Sequence, residues 1–404
     1  MTQTITAATL KRMTRVKLYP RPSQAAALVK VLDICCQVYN IALEQRRDAW
    51  RTRRLAITQG DQCAQLTDLR RSDPRIASIY RELLDVTLHR LDLAFTAFFR
   101  RMSRGERPGF PRFRNRARYG CLEFSHGDRA IKCNAAQNRI RVPGVGSVRL
   151  RSGHSIGPYG RAMIVHSVRG WYALFECRRD FGSRMPTGRR VGVDRGIATL
   201  AATSDGERFD HPRLARRYQA RIAHLSRLAM RRKRGGANRR KASVMLARAH
   251  DQLRWARRDF AHKLSRRIIN NYDVVAIEAL NVRGMLRSAR GSIQKPGRNV
   301  RAKARLNFAI TDAGWSLLAL MLHAKAEEAG RTVIEVDPRY TSQTCSRCGK
   351  VDTASRISQA VFICTGCRLR LDADVNAAKV ILQRAELAAC GEGRRVAGPR
   401  RSTK

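Results

Sequence analysis

The chain has 404 residues, enough for two to four compact units, and its hydrophobic fraction of 43% is ordinary for a folded protein. Its charge is not ordinary: 81 Lys and Arg face 32 Asp and Glu, a net +49 that opposes compaction unless a polyanion neutralises it, so nucleic acid is the natural partner. A membrane or secreted protein is not expected, because no apolar run approaches the roughly 20 residues of a spanning helix, Met1 to Leu10 hold no signal-peptide core, and the 11 Cys include single thiols such as Cys63, Cys121, Cys133 and Cys177, the distribution of a reduced cytosolic protein.

In chain order, residues 13–19 alternate apolar and polar and predict a strand, ended by Pro20 and Pro22. Helical spacing follows to about Met102. A first helix is expected from Ser23, as N-cap, to about Trp50, and a later one carries Leu84, Leu88, Leu91, Phe95 and Phe98 as one stripe. Residues 103–118 read as a basic loop in which Phe110 and Phe113 alternate with Arg112 and Arg114. The two rings fit either a stacking platform for bases or a pin to the core. Residues 119–180 predict short strands, with hairpins over 140–150 and 163–177. Strands on both sides of a helical insertion suggest a small β-barrel built from residues 13–20 and 119–180.

A second region starts near Arg189 with the strand GVDRGIATLAATSDGERF, which a turn at Ser204-Asp205-Gly206 makes a hairpin. Residues 211–270 carry 19 Lys or Arg and divide into two helices around Gly235-Gly236. So few acids intervene that Arg231, Arg232, Lys233, Arg239, Arg240, Lys241, Arg254, Arg257 and Arg258 are candidate phosphate contacts rather than a merely solvated face. The apolar run DVVAI predicts a buried strand ending in Glu278. Residues 282–305 read as an irregular segment, 306–329 as one helix and 331–336 as a strand. From about Glu386 a basic, Gly-rich tail is expected to lack structure.

Two features carry chemistry. Cys345-x2-Cys348, a 15-residue gap and Cys364-x2-Cys367 have the spacing of a closed tetrahedral Zn²⁺ site, structural because four thiolates leave no open position. Three acids stand out elsewhere: Asp194 within an apolar strand, Glu278 at the end of another, and Asp374 at the start of a helix. An acid on a buried strand is costly unless paired or bound to metal. Singly each fits a helix cap or an ion pair. Together they fit a site for two Mg²⁺, the arrangement that cleaves phosphodiesters.

G-V-D-R-G-I around Asp194, A-I-E-A-L-N-V-R-G-M around Glu278, Y-T-S-Q-T-C-S-R-C-G and D-V-N-A-A together resemble TnpB, the RNA-guided nuclease encoded by transposons, whose core recurs in compact type V CRISPR effectors and in Fanzor proteins. R-V-K-L-Y-P-R-P-S-Q, G-F-P-R-F-R, R-R-D-F-A-H-K-L-S and I-T-D-A-G-W extend the likeness over nearly the whole chain except the tail. One departure is Arg368, where the family commonly has Gly after the last zinc cysteine. The resemblance implies a multi-domain α/β protein. Its RNase H-like (RuvC) nuclease core would span 188–340 with the basic helices and 371–385, interrupted by a zinc ribbon at 341–370. The N-terminal part would be a wedge β-barrel, 1–22 and 119–187, carrying a helical recognition insert at 23–118, and 386–404 would be the tail. It implies guide RNA and target double-stranded DNA as partners, a short flanking DNA motif, and no membrane. Asp194 would bridge both Mg²⁺, with Glu278 and Asp374 completing one shell each. The expected setting is the prokaryotic cytoplasm, at the nucleoid. The alternatives are a guided DNA-binding repressor that does not cut, and a CRISPR type V effector rather than a transposon protein. A basic RNA chaperone would explain the charge but not the three acids.

Overall fold

β1 (Ala8–Tyr19) buries Val16 and Leu18 and leaves Tyr19 exposed, the period-2 alternation of a strand with one wet face. Pro22 then opens α1 (Pro22–Arg53). The N-cap is Arg21 rather than Ser23, because proline at the first helical position has its φ preset and its missing N–H would be unpaired there anyway. The Gln24 side chain accepts a hydrogen bond from the Arg21 N–H. This computed structural model describes residues 8–106, 108–134, 136–153, 156–182 and 184–390, which divide into two compact units: Thr9–Asp180, and the described residues from 181 onward.

In the N-terminal unit, α2 (Gln59–Ser72), α3 (Pro74–Ala77) and α4 (Arg81–Ser103) follow α1. The chain then returns as β2 (Cys121–Phe124), α5 (Gly127–Ala130), β3 (Lys132–Asn134), β4 (Arg139–Val142), β5 (Gly146–Leu150), β6 (Tyr159–Ser167) and β7 (Gly170–Phe181). The strands form one seven-stranded sheet in the order β2-β6-β7-β1-β5-β4-β3. β1 is thus central although α1 to α5 intervene between it and its partners β5 and β7. One core joins sheet and helices: Leu28, Tyr39, Leu43, Leu84, Leu88 and Leu91 pack in the same cluster as Val16, Ile140, Ile164 and Phe175. α1 is long and apolar enough by composition to cross a membrane, contrary to the expectation that no segment is. Its apolar side is committed to this core: Leu28, Leu32, Cys35, Tyr39 and Leu43 are all buried.

The C-terminal unit begins with β8 (Arg190–Asp194), β9 (Thr199–Thr203) and β10 (Arg208–Asp210). The expected hairpin is therefore three strands, with a further turn after Asp194. Gly196 makes that turn possible, since a Cβ there would lie 2.6 Å from the Thr199 carbonyl oxygen. α6 (Leu214–Arg231) and α7 (Ala237–Asn271) form the basic hairpin, followed by β11 (Val274–Glu278) and α8 (Val282–Met285). The single helix expected at 306–329 is two, α9 (Val300–Ala313) and α10 (Trp315–Ala329), because Gly314 takes φ +65° and ends the first. β12 (Thr332–Val336), the small hairpin β13 (Val361–Ile363) and β14 (Arg370–Asp372), and α11 (Ala373–Cys390) complete the unit. The helix runs past the expected tail boundary at Glu386, and residues 391–404 lie outside the described residues.

The central sheet has the order β10-β9-β8-β11-β12. β8, β11 and β12 are parallel, while β9 and β10 are antiparallel additions. Strand alternation sorts its two faces. Val191, Val193, Val275 and Ile277 pack with Leu264, Ile268 and Ile269 of α7, Ile310 of α9, and Leu318 and Leu322 of α10. On the other face Ala276 and Val336 pack with Ile381 and Ala385 of α11.

Candidate active site and metal centre

The two-face alternation places the first two acids. Val193 pairs with Ile277 across parallel strands, so Asp194 and Glu278 come next, side by side at the strand ends, on strands spaced about 4.8 Å apart. Val193 and Ile277 face the α7 and α10 layer, so Asp194 and Glu278 face the α11 side. The third acid arrives on α11. A Cβ on Gly192 would lie 1.9 Å from the Ala378 carbonyl oxygen, so only glycine lets α11 lie directly on β8. Asp374 is four residues before Ala378, one helical turn, and Asp194 is two residues after Gly192. That contact brings the first turn of α11 to the end of β8. The helix cap is Asp372, whose Oδ1 accepts from the N–H groups of Asp374 at 3.0 Å and Val375 at 3.1 Å, so Asp374 is not spent on capping.

The electrostatics show how close the acids are. Burial, then the charges of Glu278 and Asp374, push the Asp194 carboxyl up to about 7. Burial also raises Glu278, opposed by a hydrogen bond from Thr341 and by Arg195. Asp374 is raised by burial and by Asp372, opposed by the Thr199 hydroxyl, Arg356 and Arg208. The charges of both other acids thus reach Asp194. The group is looser than the cysteine cluster: among the described residues, only the four cysteines have ligand atoms all within 4.8 Å of one another.

Four surrounding residues were given no role in the sequence reading. Thr341, 4% exposed, donates from Oγ1 to Glu278 Oε1 at 2.6 Å. Arg195 is buried, donates to the Glu278 and Trp315 carbonyl oxygens, and has no partner at Nε. Trp315 Nε1 donates in turn to the Gly196 carbonyl oxygen at 3.1 Å, so Arg195 and Trp315 lock the ends of β8 and β11 to the start of α10. Arg356, from the cysteine-bearing segment, lies 3.6 Å from Asp374. Asn376 is fully buried, donates to the Thr344 carbonyl oxygen at 2.8 Å and accepts from the Ser346 N–H at 3.0 Å. It ties the first cysteine turn to α11. A polar residue on the apolar side of a helix was the available signal for Asn376. Thr341 and Arg195 stand inside the stretches Y-T-S-Q-T and G-V-D-R-G-I that carry the family resemblance, but no role was assigned to either.

The cysteines converge as two turns. Cys345 Sγ is 3.6 Å from Cys367 Sγ, and Cys348 Sγ is 3.5 Å from Cys364 Sγ. Tetrahedral bonds of about 2.3 Å would set sulfurs about 3.8 Å apart, so the cage fits Zn²⁺. Backbone N–H groups of Gly366 and Cys367 donate to Cys364 Sγ at 3.3 and 3.4 Å and lower its thiol to about 6, in favour of the thiolate a metal needs. Arg368 adopts φ +57°, the left-handed conformation in which glycine is at ease.

The proposed nucleic-acid contacts divide. Arg231, Arg232, Lys233, Arg240 and Lys241 are exposed at the α6–α7 turn, and Arg239 donates to the Arg232 carbonyl oxygen at 3.1 Å. Arg254 pairs with Asp251, and Arg258 is exposed on α7. Arg257 is drawn inward to the buried Asp312 at 2.9 Å, and Asp312 also accepts from the Ala215 N–H at 3.0 Å. Arg257 therefore braces the start of α6 against α7 and α9, which sets it apart from the exposed cations. In the N-terminal unit Phe110 meets Phe95 and Phe98 edge-on yet remains 45% exposed, and Phe113 lies under Arg47. Arg112 is exposed, and Arg114 exchanges backbone hydrogen bonds with the Asn40 side chain.

Comparison with known proteins follows the same geometry. Three family models match: "Probable transposase" (OrfB_IS605) over residues 179–289, "Cas12f1-like, TNB domain" over 315–381, and "Helix-turn-helix domain" (HTH_OrfB_IS605) over 10–54. Residues 10–54 here are β1 and one long helix. InsQ of Escherichia coli K12, which bears the name RNA-guided DNA endonuclease, is 30% identical over 390 residues, 95% of each chain. A protein of Streptomyces pristinaespiralis with the same designation is 29% identical over 391 residues, 95% of this chain and 92% of its own. Among solved structures, Cas12f1 in a complex with sgRNA and target DNA shares the fold at a TM-score of 0.53 and 13% identity, over 89% of this chain and 82% of that one.

Proposed function

The chain belongs to the TnpB family of RNA-guided DNA endonucleases, and from that membership we propose that it loads a guide RNA and cuts the matching double-stranded DNA beside a short flanking motif. The observation that carries the proposal is the convergence of Asp194, Glu278 and Asp374 from three distant stretches of chain at the ends of parallel strands. The transposon-type reading is preferred to a CRISPR effector. The model described as "Probable transposase" matches residues 179–289, and InsQ is matched over 95% of both chains, whereas a Cas12f1 of Sulfoacidibacillus thermotolerans matches over 57 residues, 14% of this chain. A repressor-like protein that does not cut has less support, because all three acids are present.

The site suits hard divalent cations. Burial, reinforced by the charges of Glu278 and Asp374, pushes the Asp194 carboxyl up to about 7, and a bound cation would favour its ionised form. Asp194, Glu278 and Asp374 would together hold the two Mg²⁺ ions. Bound there, the pair would activate a water and stabilise the leaving 3′ oxygen. The chain's own groups prepare the site. Thr341 holds one Glu278 oxygen and leaves the other available. Arg195 fixes the strand end by its backbone, outside the ligand set. Arg356 offers a guanidinium beside Asp374, where a phosphate would lie. The four cysteines would hold one Zn²⁺ that keeps Arg356 and the Asn376 anchor in place.

In domain terms, the five-stranded sheet with its flanking helices is the RNase H-like core, in two parts around a zinc ribbon at 341–370. The seven-stranded sheet is the wedge barrel, with α1 to α4 as the recognition insert. The α6–α7 hairpin would follow the phosphates of the guide–target duplex, since residues 211–250 contain 13 Lys or Arg and no acid. We place the protein in the cytoplasm, where DNA and transcripts meet. The test is to sequence RNA that copurifies with the protein, then to assay a plasmid matched to that guide with and without EDTA. Cleavage that needs both the match and the divalent ion supports the proposal; RNA without a common guide, or cutting indifferent to EDTA, refutes it.

A further inference from the structure

The N-terminal unit contains a cavity of about 670 Å³ between the last turns of α1, the segment 55–58, the second half of α4 and the loop that follows it, within the size range of small-ligand sites. Its walls are aromatic: Trp50, Phe95, Phe98, Phe99 and Phe110, with Met102. Trp50 is 52% exposed and Phe99 54% exposed, so the unit leaves in water the rings that a core would have covered. The phenylalanines pack on one another along one wall, with Trp50 and Phe99 keeping about half their surface in water. Phe110 meets Phe95 and Phe98 edge-on at 5.6 and 5.4 Å, and Phe98 meets Phe99 edge-on at 5.2 Å.

The rim is cationic. Arg46, Arg47 and Arg51 line it against one acid, Asp92, which pairs with Arg46, and the stretch 99–118, which supplies Phe99, Met102 and Phe110 to the lining, contains eight Arg and one acid in sequence. An occupant must present a flat apolar surface and carry negative charge close by. A nucleobase on its phosphate does both, and stacking on aromatic faces is how unpaired bases are held.

We propose that this cavity receives an unpaired base of the target DNA as the duplex opens. The inference rests on the guided-cleavage reading, because guided pairing requires an opened duplex and opening presents unpaired DNA bases to the protein. Capture of one would hold the opened state against re-annealing.

The test uses the full chain loaded with its guide. 5-Iodo-deoxyuridine placed singly along the target DNA should cross-link to peptides containing Trp50, Phe99 or Phe110, and only when the target matches the guide. The double variant Phe99→Ala, Phe110→Ala should cut intact duplex about tenfold more slowly, the effect of losing one base stack. It should cut a target with a pre-opened bubble at the wild-type rate. Phe99→Tyr with Phe110→Tyr should restore duplex cutting. The proposal is overturned if iodouridine in the guide RNA labels the same peptides without DNA, or if the alanine variant matches wild type on duplex. Equal losses on duplex and bubble, or a self-association of the chain that the variant abolishes, overturn it as well. A wild-type protein that cuts neither substrate refutes the nuclease reading instead, and the DNA cross-link then still decides the cavity.

Discussion

Two ligand clusters in the C-terminal unit are assembled in different ways, although one member of the second, Asp374, follows the last cysteine of the first by seven residues. The four thiols come from two tight turns 15 residues apart, and their sulfurs already lie at metal-binding separations. The three carboxylates come from positions 194, 278 and 374, and their ligand atoms are not drawn within 4.8 Å of one another. Local turns suffice to build the first cluster, whereas the second needs the sheet, α11 and the Gly192 contact to be in place. A closed cage suits a structural ion, and an open, mutually repelling set of acids suits ions that share their shells with a substrate.

The strongest way to break this contrast is at Asp194. Asp194→Ala should lower cleavage by about a thousandfold or more, because the ions are expected to be held by that carboxylate together with Glu278 and Asp374. Guide loading and target binding should persist, and so should the bound zinc. Plasmid cleavage, gel-shift binding and metal analysis of one preparation read all three. Cleavage at the wild-type rate would end the assignment.

The next effect concerns assembly. Gly192→Ala puts a methyl group against the Ala378 carbonyl oxygen, and backbone cannot step aside as a flexible side chain can. The first turn of α11 should move off β8. A displacement of about 1 Å in a catalytic group lowers rates by about a hundredfold. The cysteine cage, built from local turns, should still retain its zinc. Simultaneous loss of zinc would show that the cage depends on α11 through the Asn376 anchor more than on its own turns.

A smaller effect follows from acidity. The Asp194 carboxyl rises from an ordinary 3.8 to about 7 in the native state. Between those values the unfolded chain has released a proton that the folded chain still holds. The metal-free protein should therefore lose stability as pH rises from about 4 to about 7, with this contribution fully present only below that window. Divalent ions bind the ionised form, so Mg²⁺ should raise the melting temperature more at pH 8 than at pH 6. At limiting Mg²⁺, cleavage should climb about tenfold per pH unit below 7 and then level off. A flat profile would show that the acids do not repel one another as their burial implies.

What could be read in advance divides along the same line. Cys345, Cys348, Cys364 and Cys367 declare themselves by spacing, and Asp194 and Glu278 by standing in or after apolar runs. The approach of Asp374 depends on one glycine meeting one carbonyl 186 positions away, and no periodicity reports that. Thr341 and Arg195 are ordinary residues made special by tertiary contacts alone. The break at Gly314 was hidden because glycine inside a helical pattern is often tolerated, and only the positive φ shows that here it ends the helix. Arg257 read as a surface cation because its partner, Asp312, lies 55 residues away.

The smallest prediction belongs to the cage. Arg368 follows the last cysteine with φ +57°, a conformation that costs a side-chain-bearing residue about 1 kcal/mol relative to glycine. Its amide donates to the Cys364 carbonyl oxygen at 3.1 Å, closing the turn that carries Cys364 and Cys367. Arg368→Gly should keep that hydrogen bond and remove the strain, at the expense of a more flexible unfolded chain. The expected result is zinc retained against a chelator a few-fold longer, with DNA cleavage unchanged at saturating Mg²⁺. Faster zinc loss would mean that the Arg368 side chain itself supports the turn, and the cage would then be less local than its spacing suggests.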